Sequence, residues 1–371
     1  LTNKTLNIVS FDVPFPTNYG GVIDVFYKLK ALNLQGIKII LHTFEYGRGE
    51  QKELEKYCEK IFYYKRKTKF KNIFSTLPFI VKTRANKELT TNLLANNYPI
   101  LFEGIHSTFP LIKTEFKNRT VIIRAHNIEH NYYKGLYRSE SNKFKKLFFN
   151  LESVKLLKYQ KILNKADYIL SISPSEQNYF ASIFSNKSIY VPAFHNHTDV
   201  NSKIGKGNFA LYHGDLRVSD NLKACIYLTK IFSKTTFPFI IASDFSNPKL
   251  EYLIKKFNNI EFRKLATNDE LDQLIRDAHI NILPTFQATG IKLKLINAIF
   301  LGRFCLVNNK MIQNTGLEKL CVIANSKKEF IAKILEIVGE DFTKNHIIER
   351  KNTLNNFDTS VNAQKIIKLF Y

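Results

Sequence analysis

The segment Asn281–Asn308, NILPTFQATGIKLKLINAIFLGRFCLVN, brings together the residue types needed to hold an anion. Ile280 to Leu283 is a short apolar run that stops at Pro284. Gly290 opens a stretch with apolar side chains at helical spacing (Ile291, Leu293, Leu295, Ile296, Ala298, Ile299), and Phe304 to Val307 is apolar again. The pattern predicts strand, glycine-bearing loop, helix and strand. A helix beginning at Gly290 directs unpaired N–H groups and the positive end of its dipole beyond the strand's carboxyl end. Lys292 and Lys294 fall in its first turn, where cations oppose the dipole. They are explained either by an anion bound there or by simple solvation at the surface.

Three other segments place polar groups directly after an apolar run. VIIRAHNIEHNYY concentrates Arg124, His126, Asn127, Glu129 and His130. A histidine there can orient or deprotonate a hydroxyl near neutral pH, and Arg124 or His130 can neutralise a phosphate. LFEGIHSTFPL offers Glu103, Gly104 and His106, and LYHGDLRVSDN offers His213, Gly214, Asp215 and Arg217. The first apolar run leads into SFDVPFPTNYGGVIDVF, where Gly20 and Gly21 allow close approach of backbone to a ligand or to a neighbouring strand. His126 and His130 have a spacing compatible with metal, but no third ligand accompanies them and no metal is expected.

These residues need a scaffold of short strands alternating with amphipathic helices, which predicts an α/β protein with helices on both faces of mostly parallel sheets. Strands are expected near Leu6–Phe11, Ile37–His42, Ile61–Tyr64, Ile100–Phe102, Val121–Ala125, Tyr168–Ile172 and Ser188–Val191. A second series runs Phe209–His213, Phe237–Ala242, Ile260–Phe262, Ile280–Leu283, Phe304–Val307 and Val322–Ala324. The polar stretch NHTDVNSKIGKG between them reads as a linker. The expected organisation is therefore a first domain over 1–195, a linker over 196–207, a second domain over 208–355 and a helix over 356–371 that returns to the first domain. Two such domains facing each other across a cleft would direct their strand carboxyl ends toward one another.

Composition narrows the function classes. A chain of 371 residues with 44% hydrophobic residues can bury two cores. No apolar run approaches the roughly 20 residues that span a bilayer. The start LTNKTLNIVSFDVPFP resembles a first buried strand rather than a signal peptide, and cytoplasmic residence is expected. Cys58, Cys225, Cys305 and Cys321 are scattered, which predicts free thiols. The net charge is +23, and residues 1–200 carry 30 Lys+Arg against 16 Asp+Glu. Lys65, Arg66, Lys67, Lys69 and Lys71 are interleaved with Tyr63, Tyr64 and Phe70, and Lys143, Lys145 and Lys146 precede Leu147, Phe148 and Phe149. Such clusters suit an anionic membrane surface. Nucleic acid is the weaker partner, because no helix-turn-helix, zinc-finger or RNP-type motif accompanies them.

The PFPTNYGG loop, the R-x-H-N-x-E-H segment Arg124–His130, the His-Gly-Asp-Leu run at His213 and TGIKLKLINAIFLGRFCLVN together resemble glycosyltransferases of the GT-B fold, family 4 type. The resemblance implies two Rossmann-like domains, a UDP- or GDP-linked sugar donor in the second and a glycan or lipid-linked acceptor mainly in the first. It implies a retaining hexosyltransferase without metal or other cofactor, working in surface-polysaccharide assembly at the inner membrane face. Carried onto this chain, His126, Lys292 and Arg217 take catalytic roles. Gly20, Gly21, Gly214, Thr289, Gly290, Ile291, Lys292 and Asn297 surround the donor, and Glu103, His106, Arg124, Asn127 and His130 lie on the acceptor side. The chain departs from the family where two glutamates are expected: Thr289 and Asn297 stand there, and an amide can still bond ribose hydroxyls. Gly302-Arg303-Phe304-Cys305 replaces Gly-x-Pro-Val, and Asp215 and Asp220 fall near the family's phosphate-binding Arg and Lys. These departures also admit a non-catalytic scaffold that binds glycan or nucleotide.

Overall fold

The structure is a computed structural model that describes residues 4–140, 142–286, 293–313 and 315–371. Among the described residues, Leu283 to Phe286 and the helix Leu293–Leu301 flank the proposed anion loop, whereas Thr289, Gly290, Ile291 and Lys292 lie outside them. The chain divides into two compact units, one built from residues up to Asn196 together with Asn356–Tyr371, the other beginning at His197 and ending at Asn355.

Among the described residues the first unit carries seven parallel strands: β1 (Thr5–Ser10), β2 (Lys38–Glu45), β3 (Lys60–Lys65), β4 (Ile100–Glu103), β5 (Val121–Ala125), β6 (Tyr168–Ser171) and β7 (Ser188–Tyr190). Their order is β3-β2-β1-β4-β5-β6-β7. The central strands are buried on both faces, so they read as continuous apolar runs instead of alternating ones. Successive residues serve opposite faces: Ile8, Leu41, Ile122 and Leu170 enter one core, and Val9, Phe102, Ile123 and Ile169 the other. The order reverses between β1 and β4, and loops leaving the carboxyl ends of such a pair form the natural binding edge of a doubly wound sheet.

The second unit repeats the plan with β8 (Ala210–His213), β9 (Phe239–Ser243), β10 (Ile260–Lys264), β11 (Ile280–Ile282), β12 (Phe304–Val307) and β13 (Val322–Ile323). The order is β10-β9-β8-β11-β12-β13, with the reversal between β8 and β11. The stretch read as a linker is fastened to this unit. Gly205 bridges Phe342, Arg303 Nε donates to the Gly205 carbonyl at 3.1 Å, and Arg350 Nη1 donates to Ser202 Oγ at 2.8 Å. A Cβ on Gly207 would meet the Asp277 carbonyl at 2.5 Å, which explains the glycine by close backbone approach. The four cysteines are free.

The tail forms the helix Thr359–Phe370, capped by Asp358, whose carboxylate accepts from the Val361 N–H at 2.9 Å. Ala363, Ile366 and Phe370 share one face and enter the same apolar cluster as Val25, Leu29 and Leu32 of helix α1 (Gly20–Leu34). Tyr371 donates its hydroxyl to the Thr5 carbonyl at 2.6 Å, tying the end of the chain to β1. Ile366 is fully buried. Ile366→Ala should therefore lower the unfolding free energy of the first unit by about 2–5 kcal/mol. Urea denaturation followed by circular dichroism checks this, and an unchanged midpoint would mean that the tail does not belong to that core.

Candidate functional site

At the carboxyl edge of the first sheet, five charged or ionisable side chains meet in the interior. Helix α1 supplies Asp24 and Lys28, one turn apart. Strand β4 ends in Glu103, and β5 supplies Arg124 and leads into His126. The Lys28 ammonium donates to Asp24 Oδ2 at 2.9 Å and to both Glu103 oxygens at 2.7 and 2.9 Å. Arg124 clasps Asp24 through Nη2 at 3.0 Å and Nε at 3.3 Å, and bonds the carbonyls of Val191 at 2.5 Å and Pro192 at 2.9 Å. The Phe194 N–H donates to Asp24 Oδ1 at 2.7 Å. Asp24, Lys28, Glu103 and Arg124 are all 0% exposed. Burial works against both carboxylates, yet Arg124 and Lys28 outweigh it at Asp24. At Glu103 the balance is tipped by Lys28 and the His126 hydrogen bond, so both carboxyls are held below their usual range.

His126 lies on top of this network. Its Nε2 donates to Glu103 Oε2 at 2.9 Å, and Nδ1 lies 3.9 Å from Asp24 Oδ2 without a hydrogen-bond partner. Because an ionised carboxylate only accepts, Nε2 carries the hydrogen of that bond, and Nδ1 is buried beside Asp24. The Phe11 ring meets His126 edge-on at 5.2 Å and tilts against His106 at the same distance. Gly104 has φ +69°, and a Cβ there would lie 2.8 Å from His106 Nδ1, so only glycine lets the chain turn His106 under Phe11. Burial, reinforced by Arg84, holds His106 well below the usual histidine range. Asp24, Glu103 and His126 offer ligand atoms within 4.8 Å of one another, close enough to hold a metal ion. The Lys28 ammonium already bridges the two carboxylates, so the cluster is balanced as an ion-pair network.

The remaining first-unit candidates separate from that network. Arg48 and Arg84 fasten the PFPTNYGG loop: Arg48 Nε donates to Val13 O at 2.8 Å and Nη1 to Asn18 Oδ1 at 2.9 Å, and Arg84 Nε donates to Phe11 O at 2.7 Å. A Cβ on Gly21 would meet the Phe11 ring at 2.7 Å, so this glycine admits an aromatic side chain. Asn127 and His130 line a cavity of about 20 Å³ with Glu129, Gln160 and Phe180. That is room for one water and far below the roughly 300 Å³ of ligand pockets. Burial pushes Glu129 up to about 7, opposed by the Asn127 amide at 3.3 Å and reinforced by Glu176, itself pushed by burial to about 7.

In the second unit, His213 is buried at the end of β8, and burial together with Lys294 pushes it down to about 3. Lys294 donates to Asn221 Oδ1 at 2.9 Å, and Asn221 Nδ2 donates to the Asp215 carbonyl at 2.9 Å, so the first turn of Leu293–Leu301 is fastened to the loop after β8. Burial pushes Lys294 down to about 8 against the pull of Asp220. A Cβ on Gly214 would touch Asn221 at 3.1 Å. Asp220 accepts from Thr285 Oγ1 at 2.7 Å and from the Phe286 N–H at 3.2 Å, shaping the backbone that leaves β11. Arg217 is exposed and held by Asp215 at 2.7 Å and Asp244 at 2.8 Å. Asn297 Oδ1 lies 2.9 Å from His197 Nε2.

The structure thus gathers Glu103, Arg124 and His126, with His106 joined through Phe11. It shows Glu103 and Arg124 as interior supports, and places Asn127 and His130 on a water-sized cavity. Asp24 and Lys28 were missed from sequence. Their signal was two charges at i and i+4 on the otherwise apolar face of α1.

No family model matches the chain. It is 26% identical over 356 residues to an uncharacterized 44.6 kDa protein in the cps region of Klebsiella pneumoniae, covering 88% of this chain and 89% of that protein. Among solved structures it is similar to a Staphylococcus aureus TarM variant in complex with fondaparinux, α-GlcNAc-glycerol and UDP, with TM-score 0.66, 11% identity and 99% of each chain covered. A glycosyltransferase from Rickettsia africae gives TM-score 0.65 at 15% identity, covering 100% of this chain and 98% of that one. The lipopolysaccharide outer core galactosyltransferase WaaB, in its apo form, gives 0.65 at 12%, covering 98% of each. The fold is that of the GT-B glycosyltransferases, with two Rossmann-like units.

Two outcomes follow from the buried charges. Lys28→Met leaves two carboxylates without their shared cation and should cost the first unit about 3–5 kcal/mol at pH 7. Wild-type Asp24 and Glu103, with lowered pKa, stabilise the fold above the ordinary carboxyl range and lose that contribution as pH falls. In the variant their pKa values rise, so the deficit should shrink between pH 7 and 5. Urea unfolding at both pH values checks the sign. Glu129 has the opposite sign: its raised pKa means that ionisation penalises the fold as pH climbs from about 4 to 7. Glu129→Gln should therefore gain roughly 3 kcal/mol over wild type at pH 8 and almost nothing at pH 4.

Proposed function

We propose that this chain transfers a hexosyl unit from a nucleotide diphosphate-sugar, UDP- or GDP-linked, to a hydroxyl of a glycan or lipid-linked acceptor, with retention at the anomeric carbon and without a metal. Surface-polysaccharide assembly on the cytoplasmic side of a membrane is the setting, supported by the relative from a cps region. The observation that carries this reading is the Glu103–His126 pair at the binding edge of the first sheet, oriented at 2.9 Å and supported by a charge-balanced interior.

In this reading His126, its ring oriented by Glu103, contacts the reacting sugar or the acceptor hydroxyl. The donor's anomeric C–O bond breaks, the acceptor oxygen takes the carbon and loses its proton, and a nucleoside diphosphate leaves. Charge grows on that phosphate, so fixed cations lower the barrier by several kcal/mol, a typical contribution of preorganised donors. Lys292, with the N–H groups near Thr289, Gly290 and Ile291, takes this part, with Arg217 as the second cation. Gly214 lies at the second unit's strand end, and Asn297 meets the ribose. His106, Arg124, Asn127 and His130 shape the acceptor side.

A second reading, a glycan- or nucleotide-binding scaffold, is favoured by Asn297, which stands where the family has a glutamate and already bonds His197. One experiment separates the two. The purified chain is incubated with UDP- and GDP-hexoses and lipid-linked or soluble acceptors, and released nucleoside diphosphate is measured. Transfer should survive EDTA, and Lys292→Ala and His126→Ala should each lower kcat/KM by roughly 100-fold. Near-normal turnover in Lys292→Ala removes the phosphate role, and binding without release establishes the scaffold.

A further inference from the structure

At the amino-terminal edge of the first sheet, opposite the edge that carries Glu103 and His126, residues 111–120 lead into β5 and line a cavity of about 220 Å³. The cavity beside Asn127 and His130 has only about 20 Å³. Strand β5 puts roughly 17 Å between the two edges, at about 3.3 Å for each of its five residues. Leu111, Phe116 and Val121 give the larger cavity apolar walls that are continuous with the core on that side. Its polar walls are fixed by backbone bonds. Asp167 accepts the Val121 N–H through Oδ2 at 2.7 Å and returns its own N–H to the Val121 carbonyl at 2.8 Å. Arg119 Nη1 donates to the carbonyls of Leu93 at 2.8 Å and Asn96 at 2.7 Å, which holds the end of the helix Lys87–Leu94, and its guanidinium lies over the Phe116 ring at 4.8 Å. Lys165 Nζ donates to the Leu111 carbonyl at 2.5 Å. Between these fixed points Asn118 takes the left-handed conformation, φ +59°, which asparagine tolerates better than most residues. Among the described residues, Asp167 Oδ1, Arg119 Nη2 and the Asn118 side-chain amide have no hydrogen-bond partner.

Charge and size select the occupant. Lys117, Arg119 and Lys165 stand against Glu115 and Asp167 around one cavity. A simple anion meets two carboxylates there, and a metal ion meets three cationic side chains. A neutral ring bearing hydroxyls meets neither objection. Each hydroxyl donates to a carboxylate or accepts from a guanidinium, ammonium or amide, while the C–H faces of the ring take the apolar walls. Pockets for drug-sized ligands begin near roughly 300 Å³, so this cavity suits one substituted ring and is too small for a whole nucleotide-sugar.

The geometry points to a second saccharide site on the first unit, in which one pyranose ring occupies the cavity at the amino-terminal edge of the sheet. A free monosaccharide and one residue of a glycan share this chemistry. Under the proposed transfer reaction, on which this step rests, a glycan held here stays beside the enzyme between transfers and raises the effective concentration of its acceptor end.

The test is a saturation-transfer NMR titration of the full chain, without nucleotide-sugar, using monosaccharides and linear tetrasaccharides of glucose, galactose, mannose and N-acetylglucosamine. At least one should bind with a Kd at or below about 10 mM, and inorganic phosphate at the same concentration should not displace it. Two variants locate the binding. Glu115→Gln with Asp167→Asn removes the ionised acceptors while an amide oxygen still takes the Val121 N–H, and Thr114→Phe fills the cavity. Each should weaken binding at least about tenfold with an unchanged circular dichroism spectrum. No binding by any of these saccharides, binding untouched by both variants, or displacement by phosphate overturns the site. Stronger binding of a tetrasaccharide than of its monomer supports the glycan, and equal binding overturns the tethering role. Transfer is read separately: both variants should keep kcat and KM for a short acceptor and raise KM alone for a long one. Absence of transfer by wild type overturns the catalytic reading and leaves the binding result standing.

Discussion

Four ionised side chains without solvent exposure fix the binding edge of the first unit. Desolvating Asp24, Lys28, Glu103 and Arg124 is expensive, and the cost is offset because every charge has an opposite partner within 3.0 Å. The network joins α1, β4, β5 and the segment Val191–Phe194, which are distant in sequence. An apolar cluster of equal volume would hold these elements at least as firmly, since replacing buried ion pairs by well-packed hydrophobes is often neutral or stabilising. What the apolar version lacks is an ionised acceptor aimed at His126 Nε2. Orientation of that imidazole is the property the charges confer.

The second unit shapes its own strand ends differently. No interior ion pair comparable to Asp24–Arg124 occurs there among the described residues; the work is done by amides, hydroxyls and one carboxylate. Asn308 gives its Nδ2 to the Thr285 carbonyl and takes the Thr285 N–H, while Asp220 takes the Thr285 hydroxyl and the Phe286 N–H. The backbone leaving β11 is therefore defined on two sides before residue 287. Lys294, bonded to the neutral Asn221 and poised over the Tyr212 ring at 5.1 Å, keeps a cation at the first turn of its helix without a carboxylate to neutralise it. Burial costs that ammonium part of its basicity, as expected for a cation lacking a bonded counter-charge.

The strands were legible because parallel strands buried on both faces are written as unbroken apolar runs, and each expected strand has its ends within about three residues of an observed one, an ordinary boundary error. The polar clusters after those runs were legible as well, since sequence adjacency to a strand end fixes where Glu103, Arg124 and His126 emerge. Their roles were not. Whether a polar side chain turns outward to a ligand or inward to a partner depends on residues far away in the chain. Arg124 turns inward because Asp24 and the Val191 and Pro192 carbonyls await it, partners 67 to 100 positions away. The helix Lys143–Tyr159 posed the converse problem: apolar residues on two faces blur the periodicity that normally tells inside from outside.

The departures from the glycosyltransferase 4 pattern have local structural counterparts. Arg303, where the motif has an ordinary residue before proline, donates to the carbonyls of Arg276 at 2.7 Å and Asp277 at 3.1 Å and so caps the helix Asn268–Asp277. A Cβ on Gly302 would strike Asn281 Nδ2 at 2.1 Å, so the glycine is retained by close packing while its neighbours change. Asn297 faces His197, whose basicity burial lowers and the Asn297 hydrogen bond partly restores. A glutamate at 297 would form an ion pair with a protonated His197; the amide instead keeps the pair neutral. A neutral amide and imidazole recognise hydroxyls through directional hydrogen bonds but add no charge. Any charge that this part of the second unit offers an anion must then come from cations elsewhere, and among the described residues Lys294 stands in the first turn of this helix.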